Sequence, residues 1–398
     1  MSTFERIHVQ GFRRLNNVDL KLKPLNVMIG ANGSGKTSVL DVFTLLAASA
    51  SGDLAETISD FGGVDGNLTN LSITNAGTLI NLSDKNTGKA RFMSFDLAMP
   101  VTGHNPIDYQ ISLSQKGAGY EISNELLSQQ RKQNSSPFKH LEAYHGNVRY
   151  YAPQDGLQPP NWDYNESESA LSQVPKMFQE PEDFRKRLAS STHYHVLDVS
   201  RRAPVRLPQQ MRDAKLPGRD GEHLASCLYT LSQTNRDAYD AIEDTLRAGF
   251  PSFERLNFPP VAAGTLAMTW KDKTSNNPFF MNQLSEGTLR FLWLVTLLHS
   301  PGLTAVTLID EPEVSLHPEL LSLLADLMRE ASQRTQLIVA THADRLVRYL
   351  KPEEVLTMNL DDDGIAEMLW ADELDLEEWL DEYTMDEVWR LGRMGGRP

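Results

Sequence analysis

Gly30-Ala31-Asn32-Gly33-Ser34-Gly35-Lys36-Thr37-Ser38 decides how the chain is read. It fits the phosphate-binding pattern G-x-x-x-x-G-K-[ST], in which glycines let successive backbone N–H groups turn inward around an anion. Immediately before it, Leu25-Asn26-Val27-Met28-Ile29 is a short, mostly apolar strand. Immediately after it, Val39, Val42, Phe43 and Leu46 recur at helical spacing. The loop therefore joins a strand to a helix, whose N-terminus adds partial positive charge. In this pattern Lys36 reaches the β- and γ-phosphates, and the Thr37 hydroxyl is placed to ligate Mg²⁺.

A phosphate loop needs a metal ligand and a group that activates water, carried on another buried strand. Ala305-Val306-Thr307-Leu308-Ile309 is such a strand and runs into Asp310-Glu311. Five apolar or β-branched residues before the pair argue against an exposed turn. Asp310 is the expected Mg²⁺ ligand and Glu311 the expected general base. Upstream, Leu284-Ser285-Glu286-Gly287-Thr288 opens a strongly apolar helix. Downstream, Gln336-Leu337-Ile338-Val339-Ala340 is a further buried strand ending in Thr341-His342.

These segments, with the Ile7-x-Val9-x-Gly11-Phe12-Arg13 start, resemble the ATP-binding-cassette ATPases. Within them the likeness is to the SMC/RecF/OLD-like branch of AAA-type ATPases. The ending, from Glu387 through Trp389, Gly392 and Met394 to Arg397, resembles a bacterial family of this architecture. The resemblance implies a P-loop fold of α/β class with an N-terminal antiparallel β region, a helical insertion and no long coiled-coil arm. It implies that Ser285 and Gly287 contact the γ-phosphate held by a second protomer. His342 is implied as the residue that hydrogen-bonds and senses that phosphate. Arg13, with Arg14 as the alternative, matches an arginine that contacts phosphates in repair relatives. Two departures stand out: Glu286 replaces the usual second glycine of the signature, and Ser315-Leu316-His317-Pro318 lacks the acidic residue of transporter ATPases. The glutamine of the loop joining the two lobes has two candidates, Gln154 and Gln173.

Outward from the motifs, alternation over residues 107–122 predicts antiparallel strands, and residues 154–165 read as a linker. Leu224, Leu228 and Leu231, then Tyr239, Ile242 and Leu246, predict two helices broken near Asn235. No sustained a/d heptad is present. Asp361-Asp362-Asp363-Gly364 lies between two strand-like runs and reads as a hairpin turn rather than a metal site. Thr384 and Glu387 form a capping box before a last short helix. The expected division is 1–160 for the first part of the ATPase lobe and 161–250 for a helical insertion. Residues 251–350 then hold its second part, and 351–398 an acidic hairpin and helix.

The net charge of −15 over 398 residues is mostly local. Residues 351–398 hold 15 acidic and 4 basic side chains, whereas residues 184–219 hold nine Lys/Arg against Asp198 and Asp213. That basic stretch suits a phosphate backbone, a solvated face or an acidic partner equally. Cys227, the single cysteine, excludes an internal disulfide and a thiolate metal cluster. No apolar run approaches a membrane span, and Glu5 and Arg6 interrupt any signal peptide. A cytoplasmic protein is expected.

The function expected is ATP binding and hydrolysis coupled to ATP-dependent homodimerisation, acting on DNA or on an effector protein. A repair or phage-defence role follows by family analogy only. The alternatives are a nucleotide-gated scaffold with little turnover and, third, a transporter ATPase subunit.

Overall fold

The computed structural model describes residues 3–70, 92–131, 136–152 and 155–395. Among these, a six-stranded sheet runs in the order Thr192–Tyr194, Val306–Asp310, Gln336–Ala340, Leu25–Ile29, Val355–Leu360 and Ala366–Trp370. The first five strands are parallel, and the last returns antiparallel as a hairpin.

The central strands read as continuous apolar runs because both of their faces are covered. Leu25, Val27, Ile29, Ile309, Leu337 and Val339 face one core, while Met28, Val306, Leu308, Ile338 and Ala340 face the other. That split is the two-residue period of a strand. Helices Leu224–Thr234, Arg236–Gly249, Glu286–His299 and Leu320–Ala331 fill the first core with Leu228, Ile242, Leu292 and Leu324. Helix Lys36–Ser51 enters the second, and Val39, Leu40, Val42, Phe43, Leu45 and Leu46 are all buried there. A helix apolar on most of its circumference belongs between layers. Full burial of side chains such as Phe43 and Leu46 is worth about 1.5–3 kcal/mol each.

The outer layer over that helix is an antiparallel sheet. Among the described residues it has eight strands, from Leu15–Lys21 and Arg6–Phe12 through Phe92–Val101, His104–Lys116 and Gly119–Gln129 to Gly156–Gln158. The alternation expected over 107–122 is thus two strands, with Tyr109, Ile111, Leu113 and Ile122 turned into the core. Gln336, fully buried, ties the start of the chain to the parallel sheet. Its amide accepts from the Phe4 N–H at 2.9 Å and donates to the Phe4 carbonyl at 2.8 Å.

Hydrogen bonding cuts across the expected divisions. Two helices do break at Asn235, whose side-chain oxygen caps the second by accepting from the Ala238 N–H at 3.2 Å. Yet the segment 161–250 also supplies Thr192–Tyr194 to the parallel sheet. The C-terminal hairpin is likewise no appendage, because Val355–Leu360 pairs directly with Leu25–Ile29. Its turn is the one expected: the Asp361 carboxylate accepts from the Asp363 and Ile365 N–H groups at 2.9 and 2.8 Å. Helix Met385–Arg390 starts at Thr384, whose N–H donates to Glu387 at 2.9 Å. Among the described residues the longest helix is Lys36–Ser51, of 16 residues, so no coiled-coil arm leaves the body. No helix among them is long and apolar enough to cross a membrane.

Candidate nucleotide site

The glycine loop leaves its strand against the C-terminal hairpin. A Cβ on Gly30 would lie 2.2 Å from the Met358 carbonyl oxygen, so only glycine fits. Gly35 caps the following helix at φ 107°, and the first N–H groups of that helix receive no side-chain cap. Ala31, Asn32, Gly33 and Thr37 are exposed, whereas Ser34, Lys36 and Ser38 are buried. The Ser34 hydroxyl meets no hydrogen-bond partner in the protein. Lys36 folds back and donates to the carbonyls of Gly30 at 2.7 Å and Ala31 at 3.0 Å. Burial pulls its ammonium down to about 8, against the opposing pull of Asp310, Glu311 and Glu313.

Parallel register brings the acidic pair to the same end of the sheet. Asp310 is paired with Ala340, and Ala340 with Met28, two residues before Gly30. Burial and the neighbouring Glu311 push the Asp310 carboxyl above its ordinary range. Glu311 takes a left-handed backbone (φ 46°) and donates its N–H to the Ala340 carbonyl at 2.8 Å. That turn sets its carboxylate 3.6 Å from His342 Nε2, with both side chains half-buried. Burial, then Lys36, lowers the His342 imidazole, while Glu311 opposes the shift.

Glu313 was not among the residues singled out in the sequence. It is half-buried and accepts from the Thr341 hydroxyl at 2.6 Å and from the His342 N–H at 3.3 Å. Burial raises its carboxyl, and its second oxygen has no partner.

Ser285 and Gly287 form a separate patch. Ser285 is exposed and caps helix Glu286–His299 by accepting from the Thr288 N–H at 3.1 Å. A Cβ on Gly287 would come within 2.5 Å of the Ser315 carbonyl oxygen, and Arg290 donates to the Ser315 hydroxyl. The LSEGT turn is thereby packed on the segment following the acidic pair. Among the described residues no hydrogen bond or ion pair joins Ser285 or Gly287 to residues 30–38.

Other candidates are placed less as expected. Arg13 pairs with Asp41, one turn beyond Ser38, and donates to Asn67 at 2.8 Å, while Arg14 donates to the Gly364 carbonyl. Gln173 spends its amide within its own loop, accepting from the Asn165 N–H and donating to the Asn165 carbonyl at 2.8 and 3.0 Å. Gln154 lies outside the described residues. The strand beside Asp310 is instead Thr192–Tyr194, and His195 follows it directly. The strand-like His193, Tyr194 and Val196 were the available signal. In the basic stretch, Arg185 and Lys186 pair with Glu182. Arg206 donates to the Val199 and Leu284 carbonyls at 2.6 and 2.9 Å. Arg201, Arg202, Arg212, Lys215 and Arg219 are exposed.

A parallel sheet with a glycine loop on one strand, an acidic pair two strands away and a flanking antiparallel sheet defines an ABC-type ATPase head. The same fold is found in the SMC head bound to the C-terminal winged-helix domain of ScpA, with 14% identity and a TM-score of 0.52 over 93% of this chain and 99% of that one. The Smc head with an extended coiled coil, bound to the C-terminal domain of ScpA derived from Pyrococcus furiosus, gives 12% and 0.54 over 96% and 99%. The chain belongs to the family described as "AAA domain, putative AbiEii toxin, Type IV TA system", whose model matches residues 25–348. Short segments also match two further proteins. The uncharacterized protein YbjD of Escherichia coli K12 is 50% identical over 42 residues, 11% of this chain and 8% of that one. The DNA replication and repair protein RecF of Salmonella typhi is 49% identical over 45 residues, 11% and 13% of the two. This chain therefore matches only a small part of either relative's length.

Proposed function

We propose that two copies of this chain close around two ATP molecules and hydrolyse them, and that the nucleotide state controls a partner, either DNA or a protein. One arrangement carries the reading. Lys36, Asp310, Glu311 and His342 gather at one end of the parallel sheet, whereas Ser285 caps an exposed helix start with no bond to them. A second copy supplies the outward-facing patch that the cluster lacks.

The residues fit nucleotide and magnesium. Uncapped helix N–H groups and the unpartnered Ser34 hydroxyl suit phosphate oxygens. Thr37 and Asp310 are hard oxygen donors of the kind Mg²⁺ takes. Magnesium, when bound, offsets the phosphate charge. Lys36 exchanges its loop carbonyls for phosphate oxygen. Glu311 orients the attacking water and accepts its proton. His342 donates from its imidazole to the γ-phosphate, and Glu313 holds the Thr341–His342 turn that aims it. Ser285 and the N–H groups near Gly287 of the second copy bind the same phosphate from the far side. Arg13 serves from the Asp41 side of the helix. The exposed arginines between 201 and 219 are the surface offered to a nucleic-acid or acidic partner, and the SMC heads bound to ScpA support a protein partner as the parallel case.

Phosphate release per chain, measured against protein concentration, tests this reading. A composite site gives a specific activity that climbs with concentration and then saturates. A value independent of concentration, in a protein shown to be monomeric, contradicts it.

A further inference from the structure

Three ligating side chains meet beside the acidic strand, and only one of them is used above. Thr192–Tyr194 runs parallel to Val306–Asp310 with Tyr194 opposite Ile309, so the chain next brings His195 alongside Asp310. His193 lies in the strand and His195 just past its end, with ring centroids 4.0 Å apart. One ligand atom each from His193, His195 and Asp310 lies within 4.8 Å of the others.

The chemistry of His193 points to a metal. The ring is buried, and its Nε2 meets no hydrogen-bond partner in the protein. Its Nδ1 lies 3.4 Å from the Thr44 hydroxyl oxygen. That hydroxyl already donates its proton to the Leu40 carbonyl at 3.0 Å, so towards His193 it accepts. The Nδ1 therefore carries the hydrogen, and Nε2 presents a free lone pair, the ligating form of a neutral imidazole. An outer acceptor that fixes the tautomer is the usual support of a metal-bound histidine. A buried nitrogen left unpaired is destabilising, and coordination removes that cost.

We propose that His193, His195 and Asp310 bind one divalent ion of the zinc type: Zn²⁺, Co²⁺ or Ni²⁺. Two imidazoles and a carboxylate are a three-ligand set that leaves a position for water. Metal–ligand bonds of about 2.0–2.1 Å in a tetrahedron place ligand atoms about 3.4 Å apart. From the 4.8 Å limit the atoms need to close by about 1.4 Å at most, and the exposed His195 is placed to turn inward. Mg²⁺ prefers an all-oxygen octahedron, so it does not compete for this set. The inference shares Asp310 with the ATPase reading, and a titration without nucleotide keeps the two distinguishable.

The test is a titration of tag-free, metal-stripped full-length protein, without nucleotide and with Mg²⁺ in excess. Zn²⁺ is read by competition with a chromophoric chelator, and Co²⁺ by the visible absorption of nitrogen coordination. The expected result is one equivalent per chain. His195→Ala, at an exposed position, weakens binding by about tenfold or more, and Thr44→Val, which removes the outer acceptor, by about 10–100-fold. His317→Ala, at an exposed histidine elsewhere, leaves binding unchanged. Absence of stoichiometric binding overturns the proposal. So does binding that Mg²⁺ displaces, or binding that survives unaltered in His195→Ala with an unchanged melting curve.

Discussion

The half-buried Glu313 carboxylate accepts the Thr341 hydroxyl at 2.6 Å, so the segment after the acidic pair fixes the end of the neighbouring strand. The same oxygen receives the His342 N–H. The turn that carries His342 is thus held by a side chain two residues beyond Glu311, whose own carboxylate lies 3.6 Å from His342 Nε2.

Glu313→Ala leaves that hydroxyl and amide without their acceptor. It should lower unfolding free energy by about 1–3 kcal/mol in urea titrations. ATP turnover should fall further than the stability loss explains, because His342 loses its aim. Glu313→Gln keeps an acceptor and should recover most of the stability. An alanine variant with wild-type stability and turnover would remove Glu313 from the account.

Gly30→Ala drives a methyl group into the Met358 carbonyl, 2.2 Å from the added carbon. Overpacking at a backbone contact should cost about 1–3 kcal/mol and should loosen ATP binding together with the hairpin. Calorimetric melting and nucleotide titration check both. A variant unchanged in either would mean that the hairpin does not brace the loop.

Glu311→Gln should retain ATP binding and lose about 10²–10⁴-fold in turnover if the carboxylate is the base. Single-turnover phosphate release measures this directly, and an undiminished rate would exclude the assignment.

Lys36 gives a pH dependence whose sign follows from its environment. Its ammonium is pulled down to about 8 in the free protein, below its ordinary value of 10.5. The charged form binds phosphate, so ATP affinity should hold below pH 8 and fall by up to about tenfold per unit above it. For folding the sign is opposite. Between about 8 and 10.5 the unfolded chain keeps a proton that the folded chain has lost, so this lysine's contribution to stability rises with pH across that window. Lys36→Arg should flatten the alkaline fall in affinity, and an affinity independent of pH from 7 to 10 would contradict the assignment.

Much of this was legible in the residues. The glycine loop, the strand before it and the helix after it are local features with strict geometry. The runs ending in Asp310 and Thr341 read correctly because parallel strands buried on both faces are continuously apolar. What could not be read was pairing between distant segments. Val355–Leu360 is recognisable as a strand, yet nothing near it says that it lies beside Leu25–Ile29 and closes over Gly30. Thr192–Tyr194 has only three residues and two of them are polar, so the alternation of His193, Tyr194 and Val196 reads as a strand but not as one in the core. That hid His195, while the glutamine had two candidates, Gln154 and Gln173, and the amide of Gln173 is consumed in its own turn. Glu313 reads as one more acidic residue, and only its bonds to Thr341 and His342 set it apart.

The central claim is that nucleotide joins two copies through Ser285 of one and the Lys36–Glu311 cluster of the other. Light scattering on Glu311→Gln protein, with and without MgATP, tests it most directly. The account predicts a monomer that becomes a dimer only with MgATP, and a monomer under both conditions once Ser285→Arg is added. A mass unchanged by MgATP, or a dimer that forms equally well with Ser285→Arg, would contradict it.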